Sequence, residues 1–203
     1  MVAMPSKWIE NSKVLDKSLV TGSAFDRSQD KLVPHFMGLD IGLKNDGTAV
    51  TIGHWVTEFI KDNPVKKLEI DVSTVRYARN ENRAFFEIEE IADWVCMWAR
   101  RYNIQSGLTD QYYGLTAVPA MKKKGFKNIS FKHFTQALNT EMFSVLDSYL
   151  SKGLLRMPVS DLTEELQNLV IDPAARYAVA PVGGHDDLTD SFARMVYMAH
   201  ISR

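Results

Sequence analysis

Three short acidic segments contain the residues of this chain that are best suited to chemistry. They are Met-Gly-Leu-Asp-Ile-Gly at 37–42, Gly-Leu-Thr-Asp at 107–110 and Gly-Gly-His-Asp-Asp-Leu-Thr-Asp at 183–190. The first two end apolar runs typical of strands, and the third opens the last predicted helix. Carboxylates that converge from strand ends and a helix start repel one another unless a cation lies between them, and a divalent metal ion is the usual cation. The pattern therefore indicates metal-dependent phosphodiester chemistry.

The polar residues of these segments also have structural interpretations. Asp40 could cap its own turn. Asp187 and Asp190 are three residues apart on the first helical turn, where acidic side chains complement the helix dipole. Asp186 could be the N-cap of that helix, and His185 could be structural or could hydrogen-bond a ligand or a water molecule. Three acidic segments in this order of elements favour one shared site over three separate structural roles.

Hydrophobic periodicity predicts the elements that must position these residues. Three strands at 35–40, 48–55 and 67–77 should form an antiparallel meander, with Asn45-Asp46-Gly47 turning the first into the second. Further strands are predicted at 104–110, 127–134, 154–158 and 177–182. Helices are predicted at about 84–103, 111–122, 135–152, 161–170 and 186–201. A meander followed by alternating helices and strands predicts an α/β fold, a mixed sheet with parallel strands added and helices on its faces, which matches the ribonuclease H-like fold.

Length and composition limit the class of protein and the kinds of site that the chain can contain. With 203 residues, of which 45% are hydrophobic, the chain can bury the core of one domain, predicted at 31–203. The single Cys96 excludes an internal disulfide and a cysteine-based zinc site, and it suits a reducing cytoplasm. No stretch approaches the roughly 20 apolar residues that span a bilayer, so no membrane partner is expected. Residues 1–30 contain several serines and resemble a linker to an upstream segment. The chain contains no phosphate-binding loop of the motor ATPase type.

Clusters of basic residues suggest where DNA could bind, although the net charge of −1 does not itself indicate a nucleic-acid-binding protein. The densest positive stretch could contact the DNA backbone or could be a solvated helix end. It comprises Lys122, Lys123, Lys124 and Lys127, with Lys132 nearby. Arg76, Arg79 and Arg83, at the end of the third strand and in the loop after it, form a second candidate contact.

Together, the three acidic segments resemble those of the nuclease domain of the large terminase subunit of tailed bacteriophages. That family is similar in fold and chemistry to Holliday-junction resolvases, and the likeness covers about residues 35–203. It implies that Asp40, Asp110 and Asp187 are the catalytic residues and metal ligands. Asp186 or Asp190 would complete the metal site, with His185 assisting by hydrogen bonding.

The resemblance implies an endonuclease that cuts concatemeric double-stranded viral DNA during genome packaging, in the cytoplasm of the host cell. Two Mg²⁺ or Mn²⁺ ions would be the cofactors, and hydrolysis would leave 5′-phosphate and 3′-hydroxyl ends. The implied partners are a packaging ATPase domain absent from this chain, the small terminase subunit and the portal.

Three other functions remain open from the sequence. A resolvase-type endonuclease would prefer branched DNA. An actin-like-fold phosphotransferase is suggested loosely by Asp40-Ile41-Gly42 followed by Thr48, but its further phosphate and adenosine loops are missing. A non-catalytic packaging docking module could keep the fold without the activity.

Overall fold

A mixed β-sheet carries the three acidic segments. The computed structural model describes residues 2–3, 13–14, 20–21, 24–26, 32–44, 46–157, 160–171, 178–181 and 184–203. The main strands are β5 (Pro34–Asp40), β6 (Thr48–Ile60), β7 (Asn63–Arg76), β8 (Asn103–Asp110), β9 (Ile129–Lys132) and β10 (Leu155–Met157). Shorter strands are β1 (Val2–Ala3), β2 (Lys13–Val14), β3 (Val20–Thr21), β4 (Ala24–Asp26), β11 (Val170–Ile171) and β12 (Ala178–Val179). The helices are α1 (Ile88–Arg101), α2 (Gln111–Lys123), α3 (Gln136–Ser151), α4 (Asp161–Asn168) and α5 (Asp187–Ile201), with a short 3₁₀ helix at Ala78–Glu81.

Strand order confirms the predicted meander and mixed sheet. The order is β2-β10-β7-β6-β5-β8-β9, with the β3–β4 pair attached to β7, and β1, β11 and β12 form a second small sheet. Strands β5, β6 and β7 pair antiparallel, whereas β8 is parallel to β5 and β9 is parallel to β8. The strand β5, which ends in Asp40, is therefore central.

Two hydrophobic cores hold helices on the two faces of this sheet. Strand residues on one face pack with α3, α4 and α5, and those on the other face pack with α1 and α2. Helix α1 places Ile91, Val95 and Trp98 in the core at steps of three and four residues, as its sequence predicts. Among the described residues, none of the helices has both the length and the apolar character needed to cross a bilayer.

Close backbone packing joins β5 to α5. A Cβ atom added to Gly38 would lie 1.7 Å from the carbonyl oxygen of Ser191 and 2.5 Å from the amide nitrogen of Met195. Only glycine leaves room for a helix backbone at this distance. The glycine thereby fixes the position of α5, which carries Asp187 and Asp190.

Several element boundaries differ from prediction for identifiable reasons. Helix α1 begins at Ile88 rather than near 84, because Glu87 and Glu90 form a capping box, and Phe85 lies outside the helix with 47% exposure. Helix α4 ends at Asn168, since Val170 pairs in β11. The β6–β7 hairpin runs to Ile60 and back from Asn63, because Lys61 and Asp62 adopt positive φ and form a two-residue turn.

Some predictions fall on residues outside those described. Asn45 of the predicted turn is one of them, as are residues 158, 177 and 182 at the ends of predicted strands. The linker-like character of residues 1–30 stays a prediction, because only four short strands are described there.

Candidate active site

Three carboxylates converge because of how the strands and the last helix are arranged. Asp40 and Asp110 end the parallel neighbours β5 and β8, whose register pairs Gly38 with Leu108 two residues earlier. The carboxyl ends of parallel strands share one edge of a sheet, so both side chains reach the same place. Helix α5 begins at Asp187 above that edge, and it packs along β5.

The guanidinium of Arg194 lies between the carboxylates. Its Nη1 is 2.5 Å from Asp40 Oδ1, and its Nη2 is 3.2 Å from Asp190 Oδ2 and 3.4 Å from Asp110 Oδ2. Nη1 also donates to the backbone carbonyl of Leu39 at 2.8 Å. Arg194 is only 4% exposed, so one buried cation is shared by three acidic side chains. The sequence reasoning missed Arg194, and the available signal was its position four residues after Asp190 on the same helix.

Asp187 is the most deeply buried of the predicted ligands. It is 4% exposed, and its Oδ2 accepts a hydrogen bond from the Tyr77 hydroxyl at 3.1 Å. The Nδ1 of His185 lies 3.7 Å from the same oxygen. Burial, followed by the negative charge of Asp40, raises the pKa of Asp187 to about 7. Burial likewise raises the pKa of Asp110, where the charge of Arg194 opposes the shift and that of Asp40 adds to it.

Glu165 of α4 adds a carboxylate that the sequence reasoning did not single out. Its Oε2 accepts hydrogen bonds from the backbone amide of Thr189 at 3.0 Å and from the Thr189 hydroxyl at 3.2 Å. Burial raises the pKa of Glu165 to about 7, and the charges of Asp187 and Asp186 contribute to the shift. The sequence signal was weak, because Glu165 lies in a short helix with several polar residues.

Two adjoining cavities divide the acidic residues. Asp40, Asp110, Asp186 and Asp187 all line a cavity of about 490 Å³. Asp190 lines its neighbour of about 330 Å³ together with Arg194, and Asp110 and Asp186 border both. Asp186 is the N-cap residue of α5, and its Oδ2 also accepts a hydrogen bond from the backbone amide of Ala180 at 3.1 Å. Four carboxylates therefore open onto one space, and Asp190 opens onto the neighbouring cavity.

His185 and Arg79 stand together at the edge of the acidic cavity. The Nε2 of His185 is 3.1 Å from Arg79 Nη2, and its ring centroid is 5.2 Å from that of Tyr77. Both side chains are exposed. Gly184, which precedes His185 in the sequence, also lines the cavity, whereas Gly183 lies outside the described residues.

The predicted lysine cluster lies away from the carboxylates. Helix α2 begins directly after Asp110 and carries Lys122 and Lys123 in its last turn, about 20 Å along the helix axis. Lys124 forms ion pairs with Asp93 at 2.8 Å and Glu89 at 3.1 Å.

The other predicted basic contacts are also separate from the acidic cavity. Lys127 is exposed and lies between α2 and β9. Arg76 forms an ion pair with Glu81 at 2.8 Å and stacks over Phe86. Arg79 differs from these residues, because it contacts His185, which lines the acidic cavity.

Tyr112 lines the acidic cavity, and Lys132 lies on the strand next to Asp110. Lys132 pairs with Asp110 in the register of β8 and β9, and its ammonium lies 5.2 Å from the centre of the Tyr197 ring. Tyr112 lines the same cavity as Asp110 and is 76% exposed. A cationic and an aromatic side chain thus flank the acidic edge, a combination suited to a nucleic-acid backbone and its bases.

The raised pKa values of Asp187 and Glu165 predict that the stability of the metal-free protein depends on pH. Because Asp187 and Glu165 have pKa values of about 7 when folded and about 4 when unfolded, the folded state binds their protons more tightly. Their contribution to stability is therefore present below about pH 4 and is lost as the pH rises to about 7. A variant carrying Asp187→Asn and Glu165→Gln should gain melting temperature relative to the wild type over this window, measured in EDTA. A difference that stays constant from pH 4.5 to 8 would contradict the burial argument.

Solved structures share this fold along nearly the whole chain. The large terminase nuclease from thermophilic phage G20c with bound cobalt has 15% identity and a TM-score of 0.74, covering 97% of this chain and 98% of that one. The corresponding nuclease domain from bacteriophage SPP1 with bound manganese has 12% identity and a TM-score of 0.53, covering 82% and 86%. The large terminase of HK97 bacteriophage has 13% identity and a TM-score of 0.67, covering 94% of this chain but 42% of that chain.

These similarities establish the fold. No protein-family model and no curated protein matches the chain. The resemblance predicted from the acidic segments is confirmed at the level of architecture, since the ribonuclease H-like sheet and helices superpose on terminase nuclease domains. At identities of 12 to 15%, the chemistry has to be argued from the residues of this chain.

Proposed function

We propose that this chain is a metal-dependent endonuclease domain that cuts concatemeric double-stranded viral DNA during genome packaging. The observation that carries the proposal is the convergence of Asp40, Asp110, Asp186 and Asp187 on one cavity, with a buried arginine neutralising the cluster from one side. Solved domains of the same fold are nucleases with bound cobalt, magnesium or manganese. The acidic cavity of this chain and the metal ions bound to those domains both support a site for divalent cations.

The donor set fits divalent cations. All four side chains offer carboxylate oxygens, which are the ligands that Mg²⁺ and Mn²⁺ prefer. Burial raises the pKa of Asp187 and Asp110, which means that this space disfavours negative charge without a cation. Asp40, Asp110 and Asp187 would hold the ions, and either Asp186 or Asp190 would complete the set. When bound, two such ions would neutralise the scissile phosphate and lower the pKa of the attacking water.

Several side chains hold the carboxylates in position or could contact the DNA. Arg194 holds Asp40, Asp110 and Asp190 in fixed positions, so the carboxylates are arranged before DNA arrives. Tyr77 donates to Asp187 and fixes the direction of its free lone pairs. His185 and Arg79, at the cavity edge, are positioned to donate hydrogen bonds to a phosphate oxygen or a water molecule. Hydrolysis adds water across the P–O3′ bond and leaves a 5′-phosphate and a 3′-hydroxyl.

A DNA-binding experiment can distinguish the two basic regions. Arg79 contacts His185, which lines the acidic cavity, and Lys132 lies opposite Asp110 in the β8–β9 ladder. The variant Arg79→Ala with Lys132→Ala should therefore bind linear duplex DNA more weakly. The slope of log Kd against log salt should also fall by about 2, one unit for each lost phosphate contact. Binding is measured in EDTA on an Asp40→Asn background, so that no cleavage occurs.

The matched control changes two lysines at the far end of α2. Lys122→Ala with Lys123→Ala removes the same charge about 20 Å from Asp110 and should alter the binding constant and salt slope much less. A larger loss of DNA affinity in the Lys122→Ala, Lys123→Ala variant would show that DNA runs along α2, as the sequence predicted. That result would contradict a DNA path across Arg79 and Lys132. Branched DNA tested beside linear duplex separates this proposal from a resolvase-type activity, which would favour the branched substrate.

The cellular setting belongs to the same proposal. An ATPase domain would supply translocation, as the larger size of the HK97 large terminase relative to this chain suggests. Residues 1–30 would link the two domains and residues 31–203 would form the nuclease, acting with the small terminase subunit and the portal in the host cytoplasm. A nuclease assay with Mn²⁺, and its loss in EDTA, would separate this function from that of a docking module.

A further inference from the structure

A second cluster of metal-ligating side chains lies at the opposite end of the sheet. It consists of His35 on β5, His54 on β6 and Asp71 on β7, which are 0%, 6% and 0% exposed. His35 and His54 are directly opposite each other in the β5–β6 ladder. His35 and Asp40 are five residue steps apart along β5, which corresponds to about 17 Å. The cluster is therefore separate from the acidic cavity.

Two irregularities in strand pairing bring these side chains together. The β6–β7 ladder passes from the pair Ile52–Val72 to the pair Gly53–Ile70, so Asp71 is the extra residue of a bulge. The β5–β8 ladder also shifts its register, directly after His35. Bulges redirect side chains and are common beside functional sites. The Asp71 carboxylate consequently lies against both imidazoles rather than following the strand alternation.

The hydrogen bonds of His35 leave one ring nitrogen available as a ligand. Its Nδ1 is 2.7 Å from the Val33 carbonyl, which can only accept, so Nδ1 carries the proton in the neutral ring. Nε2 then presents a lone pair, is buried, and has no hydrogen-bond partner among the described residues. Burial, with a further contribution from His54, lowers the pKa of His35 to about 4, so the ring is neutral near pH 7.

The ring nitrogen of His35 that carries the lone pair faces the Asp71 carboxylate. His35 Nε2 faces Asp71 Oδ2 at 3.5 Å, and a lone pair opposite a carboxylate oxygen is repulsive. His54 Nδ1 lies 2.6 Å from the same oxygen and donates to it. A positively charged ion bound to His35 Nε2 and to this oxygen would replace the repulsion with two metal–ligand bonds.

We propose that His35 Nε2, His54 Nδ1 and the Asp71 carboxylate bind one zinc-class divalent ion that ties β5, β6 and β7 together. The three ligand atoms lie within 4.8 Å of one another, and a tetrahedral zinc site requires separations of about 3.3 Å. Two imidazoles with one carboxylate favour Zn²⁺ over Mg²⁺, in contrast to the all-carboxylate cavity. Binding moves the ring proton of His54 from Nδ1 to Nε2.

Zinc and cobalt binding are measured on protein whose acidic cavity has been disabled. The variant Asp40→Asn with Asp187→Asn keeps the three ligands of the second cluster and loses two carboxylates of the first. After removal of metals and dialysis against Zn²⁺, elemental analysis should find about one zinc per chain. Co²⁺ should give the visible absorption of a tetrahedral site. Zinc at a free concentration 100-fold above Kd should raise the melting temperature by about 5–10 °C.

Two variants and a control complete the test. Adding His35→Gln or Asp71→Asn should abolish the bound zinc and the cobalt spectrum, whereas His133→Ala, which removes an exposed histidine, should leave both unchanged. Less than about 0.1 zinc per chain in the protein with His35, His54 and Asp71 intact would overturn the proposal. Undiminished zinc in His35→Gln would also overturn it. The zinc content of the intact cluster decides the matter even where a variant fails to fold.

Discussion

Replacing Asp40 with asparagine should reduce DNA cleavage by about 1,000-fold or more while leaving the fold intact. Asp40 ends the central strand, opens onto the acidic cavity and shares Arg194 with Asp110. Asparagine keeps the shape of the side chain but removes the negative charge that would bind a divalent ion. Conversion of supercoiled plasmid to nicked and linear forms in Mn²⁺ measures the effect, and circular dichroism checks the fold.

Asp147→Asn is the matched control for this experiment. Asp147 is an exposed acidic residue of α3, hydrogen-bonded to Ser151, and it does not line either acidic cavity. Its removal should leave the cleavage rate within about twofold of the wild type. Activity of Asp40→Asn within tenfold of the wild type would show that the acidic cavity is not the site of cleavage.

Replacing Arg194 with methionine should destabilise the metal-free protein by about 3–5 kcal/mol. The guanidinium is buried among Asp40, Asp110 and Asp190, and methionine removes the positive charge that contacts all three carboxylates. Its contacts to the Leu39 carbonyl and over the Phe134 ring are lost as well. Urea unfolding in EDTA measures the change in the free energy of unfolding.

Two comparisons make the Arg194 result specific. Arg83→Met removes an ion pair with Glu90 that is exposed to water, and it should change the unfolding midpoint little. Mn²⁺ should restore part of the stability of Arg194→Met, because a bound ion replaces the missing positive charge among the carboxylates. An unfolding free energy of Arg194→Met within about 1 kcal/mol of the wild type would refute the structural role of this arginine.

Local patterns in the sequence were sufficient to predict the main strands of the sheet and how they pair. The β-branched and apolar runs at 48–55 and 67–77 predicted two strands of the meander, and parallel pairing of β5 with β8 follows from the helix between them. That topology puts Asp40 and Asp110 at one sheet edge, so their proximity was predictable. The extension of the β6–β7 hairpin was not predicted: Asp62 lies in the two-residue turn, and Pro64 is the second residue of β7.

Long-range contacts of charged residues could not be predicted from local patterns. Arg194 follows Asp190 by one helical turn, but its contacts to Asp40 and Asp110 depend on α5 packing against Gly38. Lys122 is only a dozen residues from Asp110 in sequence, yet the intervening helix carries it to the far end of α2. A helix can therefore separate residues that are close in sequence, such as Lys122 and Asp110. Packing between elements can bring together residues that are distant in sequence, such as Arg194 and Asp40.

Anomalous diffraction from crystals soaked in Mn²⁺ tests the central claim most directly. We expect manganese peaks in the acidic cavity at about 2.2 Å from carboxylate oxygens of Asp40 and of Asp110 or Asp187, with either Asp186 or Asp190 identified as the additional ligand. These peaks should be absent from crystals of the Asp40→Asn variant. Manganese bound elsewhere, with none between Asp40, Asp110 and Asp187 at millimolar concentrations, would contradict the proposed metal-dependent site.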